Sequence, residues 1–138
     1  MSLVLQGTGI VGGAAEGPAL VTTEALAFNL GVDEKTGLVI ERGHALEGQS
    51  VAGKVVVFRG GKGSSASSFS ILQLVRRGCG PVALVNVQSD AVVAAGAVLA
   101  RIPLVHRCDQ DPTKLIRSGD RIRVDGDTGR VELLEDAS

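Results

Sequence analysis

Residues 55–78 read VVVFRGGKGSSASSFSILQLVRRG, and this stretch decides how the chain folds around it. The unbroken apolar run 55–58 predicts a buried strand, and apolar residues at 71, 72, 74 and 75, ended by Arg-Arg-Gly, predict a helix. Between them, residues 60–68 hold three glycines, a lysine and four serines. A glycine-rich turn between a strand and a helix directs backbone N–H groups and the positive helix end toward one place. We therefore expect this loop to bind an anion and to carry hydroxyl groups beside it.

The elements that follow predict a βαβ core with partly parallel strands. In chain order they are a helix at 65–77, a strand at 82–87, a helix at 91–100 and a strand at 102–106. Ser89 and Asp90 are suitable caps for the second helix, whose small side chains require close packing. Because this order alternates strand and helix, the expected class is α/β.

Shorter strands and turns are expected on both sides of this core. Residues 3–5, 19–22 and 38–40 are apolar runs separated by glycine, which is typical of strands and hairpins. Residues 7–12 satisfy G-x-G-x-x-G, but the glycines and proline that follow cannot open a long helix. A glycine-rich hairpin is therefore the better interpretation of residues 7–12 than a dinucleotide site.

The C-terminal part predicts a helical turn and a hairpin. Asp111 and Pro112 supply an N-cap and a first helical residue for a turn that runs through Ile116. The alternating stretches 120–125 and 130–133, joined by 126–129, predict a β-hairpin.

Length, charge and composition exclude several classes of function. A chain of 138 residues predicts one domain, residues 1–138, with a frayed tail at 135–138. The net charge is −1 and the only aromatic residues are three phenylalanines, so we expect no nucleic-acid partner. The N-terminus has no signal-peptide pattern and no apolar run approaches the length of a membrane span. With two well-separated cysteines as free thiols, the chain is expected in the cytoplasm, away from membranes.

Several motifs lack the residues that their chemistry needs. Lys62 is followed by Gly63 instead of Ser or Thr, and Val56 stands where a P-loop has its first glycine. Residues 125–129 lack the remaining ligands of a calcium loop. His44 and His106 lie in no metal-ligand spacing, which favours structural roles, and we expect no metal site in this chain.

Ser64 and Ser65 have two interpretations. Serine is a favoured N-cap residue, so one of them is explained by the start of the helix. A cap does not explain the whole run of glycines and serines, which indicates that a ligand approaches the backbone closely. We favour anion binding or catalysis over capping alone, because the loop lies at a helix terminus.

With these residues in view, the chain resembles the small subunit of the aconitase X family almost from end to end. The landmarks of the resemblance are residues 31–33, 36–37, 46–48, 50–54, 61–65, 95–97 and 102–105. The resemblance implies a swivelling β/β/α domain, rich in hairpins in its first half, around the βαβ core. It also implies a subunit of a hydro-lyase that is active only with a large partner subunit.

The resemblance also implies roles for the loop. Ser64, or failing that Ser65, would be the general base that removes a proton next to a carboxylate of a small hydroxy acid. Gly61, Lys62 and Gly63 would bind the substrate. An iron or iron–sulfur cluster would belong to the large subunit, with no cofactor on this chain. Family members are similar to cis-3-hydroxy-L-proline dehydratases, which we take as the main expectation, or to phosphomevalonate dehydratases, the alternative.

Two departures and a competing class remain. Ala66 follows the serines where aconitase-type loops continue with an arginine, and the aromatic residue common near Leu30 is missing. Residues 119–126 also resemble the end of phosphohistidine domains, but Ala66 occupies the position of their phosphorylated histidine. That resemblance supports the fold, and the missing histidine excludes phosphoryl transfer. It leaves a non-catalytic, anion-binding swivel module as a further alternative.

Overall fold

A computed structural model of the chain describes residues 3–134, which form eight strands and three helices. The expected frayed tail, 135–138, lies outside the described residues. The strands are β1 (Val4–Gln6), β2 (Thr8–Val11), β3 (Ala14–Val21), β4 (Val55–Phe58), β5 (Ala83–Asn86), β6 (Leu104–His106), β7 (Arg121–Asp125) and β8 (Arg130–Leu133). The helices are α1 (Ala66–Arg76), α2 (Ala91–Ala100) and α3 (Pro112–Leu115).

The strands form two sheets that meet at two corners. The strand order is β1-β8-β7-β3-β4-β5-β6-β2. The first part of β3 pairs antiparallel with β7, and its last part pairs parallel with β4. At the other corner, β1 pairs with β8 and β2 pairs with β6, with only Gly7 between β1 and β2. Strands that switch sheets in this way enclose a core between the two sheets.

The parallel strands β4, β5 and β6 lie at the centre and confirm the predicted βαβ core. All four residues of β4 are fully buried. Val55 and Val57 pack into the core between the sheets, whereas Val56 and Phe58 pack toward the helices. A strand covered on both faces requires an unbroken apolar run, which is the pattern that predicted it.

A helical layer completes the β/β/α order. Helices α1 and α2 pack on the outer face of the parallel strands, together with buried residues of the long segment between β3 and β4. The Phe28 and Phe58 rings from this segment and from β4 meet edge to face with their centroids 5.8 Å apart. The predicted α/β swivelling fold is therefore confirmed in its layers and in its element order.

Two predictions for the first half are wrong. Residues 7–12 form no hairpin, because β2 pairs antiparallel with β6. A Cβ atom at Gly9 would overlap the Gly126 carbonyl oxygen. Glycine is therefore needed here because two chain segments approach closely, and not because the chain turns. Residues 38–40 are no strand either, since Val39 and Leu38 make only isolated bridges, to Val32 and Ser50.

The C-terminal predictions hold. The hairpin consists of β7 and β8, and Asp111 caps α3 by accepting the Thr113 N–H at 3.0 Å. Helix α2 has the predicted bounds, and α1 begins and ends one residue inside its predicted range. Over residues 3–134, every helix is too short or too polar to cross a membrane.

The close contact of α1 with α2 makes a stability prediction. A Cβ atom at Gly96 would lie 2.7 Å from Ile71 Cδ1 and 3.2 Å from Ser68 Cα. Gly96→Val should therefore lower the free energy of unfolding by about 1–3 kcal/mol through overpacking. Ala95→Val adds a β-branched side chain on the exposed side of the same helix and serves as the control. Urea unfolding of both variants checks the prediction, and equal losses would contradict it.

Candidate functional site

The glycine- and serine-rich loop leaves the carboxyl end of β4 and enters α1. A groove of about 410 Å³ runs between this loop and the beginning of α2. Its lining consists of Leu26, Gly61, Lys62, Gly63, Ser67, Asp90, Ala91, Val92 and Val93. The structure therefore places the predicted binding residues Gly61, Lys62 and Gly63 beside the second helix of the core, which lies about 30 residues further along the chain.

Asp90 ties the loop to α2. Its Oδ1 accepts the N–H groups of Val92 and Val93 at 2.9 Å, which makes it the N-cap of α2, as predicted. Its Oδ2 accepts the Gly61 N–H at 3.0 Å. The Gly61 donor is therefore engaged, which differs from the expectation that this turn leaves its backbone donors free.

Lys62 is also paired in this structure. Its Nζ donates to Glu41 Oε2 at 2.8 Å, and both side chains remain partly exposed to solvent. An exposed ion pair of this kind is weak, because solvent screens it. An anionic ligand in the groove would therefore compete with Glu41 for the ammonium group.

The open donors of the loop lie one step further along the chain. Among residues 3–134, the backbone N–H groups of Gly63, Ser64 and Ser65 donate no hydrogen bond. Gly63 has φ +97°, which turns the chain into the start of α1. Consecutive N–H groups in such a turn form a concave site for an anion, at the positive end of a helix.

The structure distinguishes the two candidate serines. Ser64 Oγ accepts a hydrogen bond from Asn29 Nδ2 at 2.9 Å and one from the Ala66 N–H at 3.3 Å. Ser65 occupies the N-cap position of α1, but its side chain makes no cap hydrogen bond. Both serines are exposed. Side-chain capping therefore does not account for Ser65, and Ser64 is the hydroxyl that the surrounding groups hold.

Asn29 is a site residue that the sequence reasoning missed. Its Oδ1 accepts the Ser67 hydroxyl at 3.0 Å, while its Nδ2 donates to Ser64. Ser67 is 2% exposed, so the amide has a buried anchor on α1. A contact between residues so far apart in sequence leaves no local pattern. The one hint was the position of Asn29 just before the landmark at 31–33.

The two histidines hold backbone segments. His44 Nδ1 accepts the Leu46 N–H at 3.0 Å, and its Nε2 donates to the Ala25 carbonyl at 2.8 Å. His106 Nδ1 is 2.8 Å from Ser89 Oγ and accepts the Ser89 N–H at 3.2 Å. Burial, with a smaller contribution from the Arg107 charge, lowers the pKa of His106 below its ordinary value.

The residues described do not suit a metal cofactor. Within residues 3–134, no group of three or more His, Cys, Asp or Glu side chains is arranged to hold a metal ion. Cys79 and Cys108 are free thiols, and burial, followed by the Asp109 charge, raises the pKa of Cys108 to about 11. A thiol with this pKa stays protonated at neutral pH, whereas a metal ligand must be a thiolate.

Comparisons with known proteins agree with one another. A family profile described as the aconitase X swivel domain matches residues 4–133. The phosphomevalonate dehydratase small subunit of Methanocella arvoryzae is 47% identical over 129 residues, which are 94% of this chain and 98% of that protein. The protein of the same name from Archaeoglobus fulgidus is 44% identical over 126 residues, 91% of this chain and 95% of that protein.

Solved structures share the fold. A crystal structure of Thermococcus kodakaraensis aconitase X in its holo-form matches with a TM-score of 0.91 at 40% identity. That match covers 96% of this chain and 99% of the other. A solution NMR structure of a UPF0107 protein matches with a TM-score of 0.88 at 41% identity, covering 96% and 100% of the two chains.

The environment of His106 makes a pH prediction. Because its folded-state pKa is lowered, the unfolded chain takes up the proton first as the pH falls below the ordinary value of 6.5. The corresponding stability is complete above that pH and is lost as the pH falls toward the folded-state pKa. His106→Asn keeps an acceptor for Ser89 but does not titrate, so it should lose less stability than the wild type between pH 7.5 and pH 5.5. Urea unfolding at both pH values checks this, and equal losses would contradict it.

Proposed function

Because the chain belongs to the aconitase X swivel domain family, we propose that it is the small subunit of a hydro-lyase that dehydrates phosphomevalonate. The curated relatives carry this name at 39–47% identity over nearly their whole length, as for those from Methanocella and Methanosarcina mazei. Their names favour the phosphomevalonate alternative over cis-3-hydroxy-L-proline, our main expectation from the sequence. We further propose that the subunit works in the cytoplasm and that an iron or iron–sulfur cluster belongs to a large partner subunit.

The observation that supports a catalytic role is the position of Ser64 beside three open N–H groups. Phosphomevalonate has a carboxylate and a hydroxyl group on the β-carbon, so dehydration removes a proton from the carbon between them. A carboxylate bound to the N–H groups of Gly63, Ser64 and Ser65 would bring that carbon near Ser64 Oγ. The same donors would stabilise the negative charge that develops on the carboxylate oxygens as the proton leaves.

Lys62 and the groove suit the other end of the substrate. The groove extends from Gly61 and Gly63 toward the N-terminus of α2, and Lys62 is part of its lining. A phosphate group carries more charge than the Glu41 carboxylate and offers more acceptor oxygens, so we propose that it replaces Glu41 as the partner of Lys62. Gly61 shapes the wall of the groove through its bond to Asp90.

The site is open on one side, where we propose that the large subunit docks. Leu30 and Phe69 are 80% and 66% exposed, and they are the most exposed large apolar side chains of the described residues. Leu30 directly follows Asn29, and Phe69 lies one helical turn after Ser65 on α1. Apolar side chains at the rim of a polar site are typical of a protein interface.

An activity assay on the complex with the large subunit tests the reaction. We expect the complex to dehydrate phosphomevalonate faster than cis-3-hydroxy-L-proline. Ser64→Ala should lower kcat by about 10²-fold or more, the usual effect of losing a general base. Ser65→Ala should lower kcat less than about tenfold, because its side chain makes no bond that holds it for proton transfer.

The outcomes of this assay separate the alternatives. Faster turnover of the hydroxyproline would restore our first expectation. Full activity of Ser64→Ala would remove the proposed base. No dehydration of either substrate, with anions still bound by the subunit, would leave the non-catalytic module.

The docking surface makes a separate prediction. Leu30→Asp and Phe69→Asp should each weaken association with the large subunit by about tenfold or more, since a charge would be buried in an apolar contact. Leu115→Asp is the matched control, because Leu115 is 39% exposed and the next residue, Ile116, packs into the core between the two sheets, away from the helical layer. Size-exclusion chromatography and titration calorimetry measure the effect. Equal affinities for all three variants would place the interface elsewhere.

A further inference from the structure

We infer that Asn29 activates Ser64 for proton abstraction, by donating a hydrogen bond to its oxygen and stabilising its alkoxide. This inference rests on the proposed function, in which Ser64 is the general base. It assigns a catalytic group outside the serine loop, on the segment between β3 and β4. It also explains why Ser64, and not Ser65, is the reactive hydroxyl.

The number of hydrogen-bond donors at Ser64 Oγ supports this role. Asn29 Nδ2 and the Ala66 N–H both donate to this oxygen, at 2.9 and 3.3 Å. A hydrogen bond from a neutral N–H is stronger when its acceptor is charged. Two donors therefore favour the alkoxide over the hydroxyl and lower the pKa of Ser64.

The Asn29 amide is anchored by a second hydrogen bond, to Ser67. Ser67 Oγ donates to Asn29 Oδ1 at 3.0 Å, while Nδ2 faces Ser64. A Cβ atom at Gly63 would lie 3.1 Å from Asn29 Oδ1, so the glycine leaves room for the amide. The contact of Asn29 with the loop therefore has a defined orientation.

Burial and hydrogen bonds hold the segment that carries Asn29 in place. Phe28, the preceding residue, is fully buried. On the other side of Asn29, the Gly31 N–H donates to the Ala27 carbonyl at 2.8 Å. Ser70 Oγ on α1 donates to Glu34 Oε1 at 2.9 Å, a second link between the segment and the helix. A catalytic hydrogen bond requires such preorganisation, because the donor must already be in place when charge develops.

The proton transfers of the proposed reaction involve Ser64 and solvent water. Ser64 loses its hydroxyl proton to solvent water on its exposed side and becomes an alkoxide. The alkoxide oxygen then forms an O–H bond with the proton on the carbon next to the substrate carboxylate. The electron pair of the broken C–H bond forms the new C=C bond as the β-hydroxyl group leaves as hydroxide, which takes up the proton released earlier and forms water. Throughout, Asn29 donates a hydrogen bond and transfers no proton.

The test uses the complete complex with its large subunit and three variants. Asn29→Ala removes the donor, and Asn29→Asp keeps the shape of the side chain but replaces the donor with a carboxylate oxygen. Glu34→Gln is the control, since it alters the other link between the segment and α1 without touching Ser64. For each variant, kcat and KM for phosphomevalonate are measured from pH 6 to pH 10.

We expect both Asn29 variants to lower kcat by about 10²-fold or more, as for the loss of one oxyanion donor, with KM changed less than about threefold. The pH at which kcat reaches half its maximum should rise by about one unit or more, because Ser64 becomes harder to ionise. In Asn29→Ala, which adds no charge beside Ser64, a purely structural role would not move this pH. Glu34→Gln should leave it unchanged.

Each contrary result has a distinct meaning. If the wild-type complex does not dehydrate phosphomevalonate, the proposed function fails. If the wild type is active and Ser64→Ala is inactive, but Asn29→Asp retains kcat and its pH profile, only the role of Asn29 is wrong. Should Asn29→Ala fail to assemble, the isosteric Asn29→Asp still decides the question. A fall in kcat without a pH shift in that variant would also overturn the inference.

Discussion

The burial of β4 on both faces is the constraint on which the other parts of the structure depend. Val55 and Val57 complete the core between the sheets, and Val56 and Phe58 complete the core under the helices. A strand in this position has no polar surface of its own, so it offers functional groups only where it ends. The loop that begins at Gly60 follows β4 directly and lies at the carboxyl edge of the parallel strands, where ligands of such sheets bind.

The site is built from three parts of the chain that meet at that edge. Asp90 joins the loop to the second helix, and Asn29 joins the loop to the long segment before β4. Each contact engages one part of the loop and leaves the N–H groups of Gly63 to Ser65 open. The polar groups of the loop are thus divided between those that hold its shape and those that remain for a ligand. This division is typical of a preorganised anion site.

Elements defined by neighbouring residues could be predicted from the sequence, whereas contacts between residues far apart in the chain could not. The central strand, the two helices and the last hairpin carry their own periodicity and caps, and the sequence predicted all of them. The pairing of β2 with β6 depends on a partner almost a hundred residues away, so glycines that permit contact were interpreted as a turn. Asn29 was missed for the same reason, because its partner Ser64 is 35 residues away in the sequence. The loop itself was predicted because a strand, glycines and a helix start are local signals.

The close approach of Gly9 and Gly126 has a consequence for classifying related sequences. Side chains at these positions would collide with backbone, and Gly129 is similarly crowded by Gly7. These glycines allow the two sheets to meet and lie outside the proposed site, so their presence indicates the architecture. A distant sequence that keeps them but lacks the Gly-Ser loop and its asparagine would share the domain without the proposed reaction. Two independent signatures in one chain thus allow ancestry and activity to be traced separately.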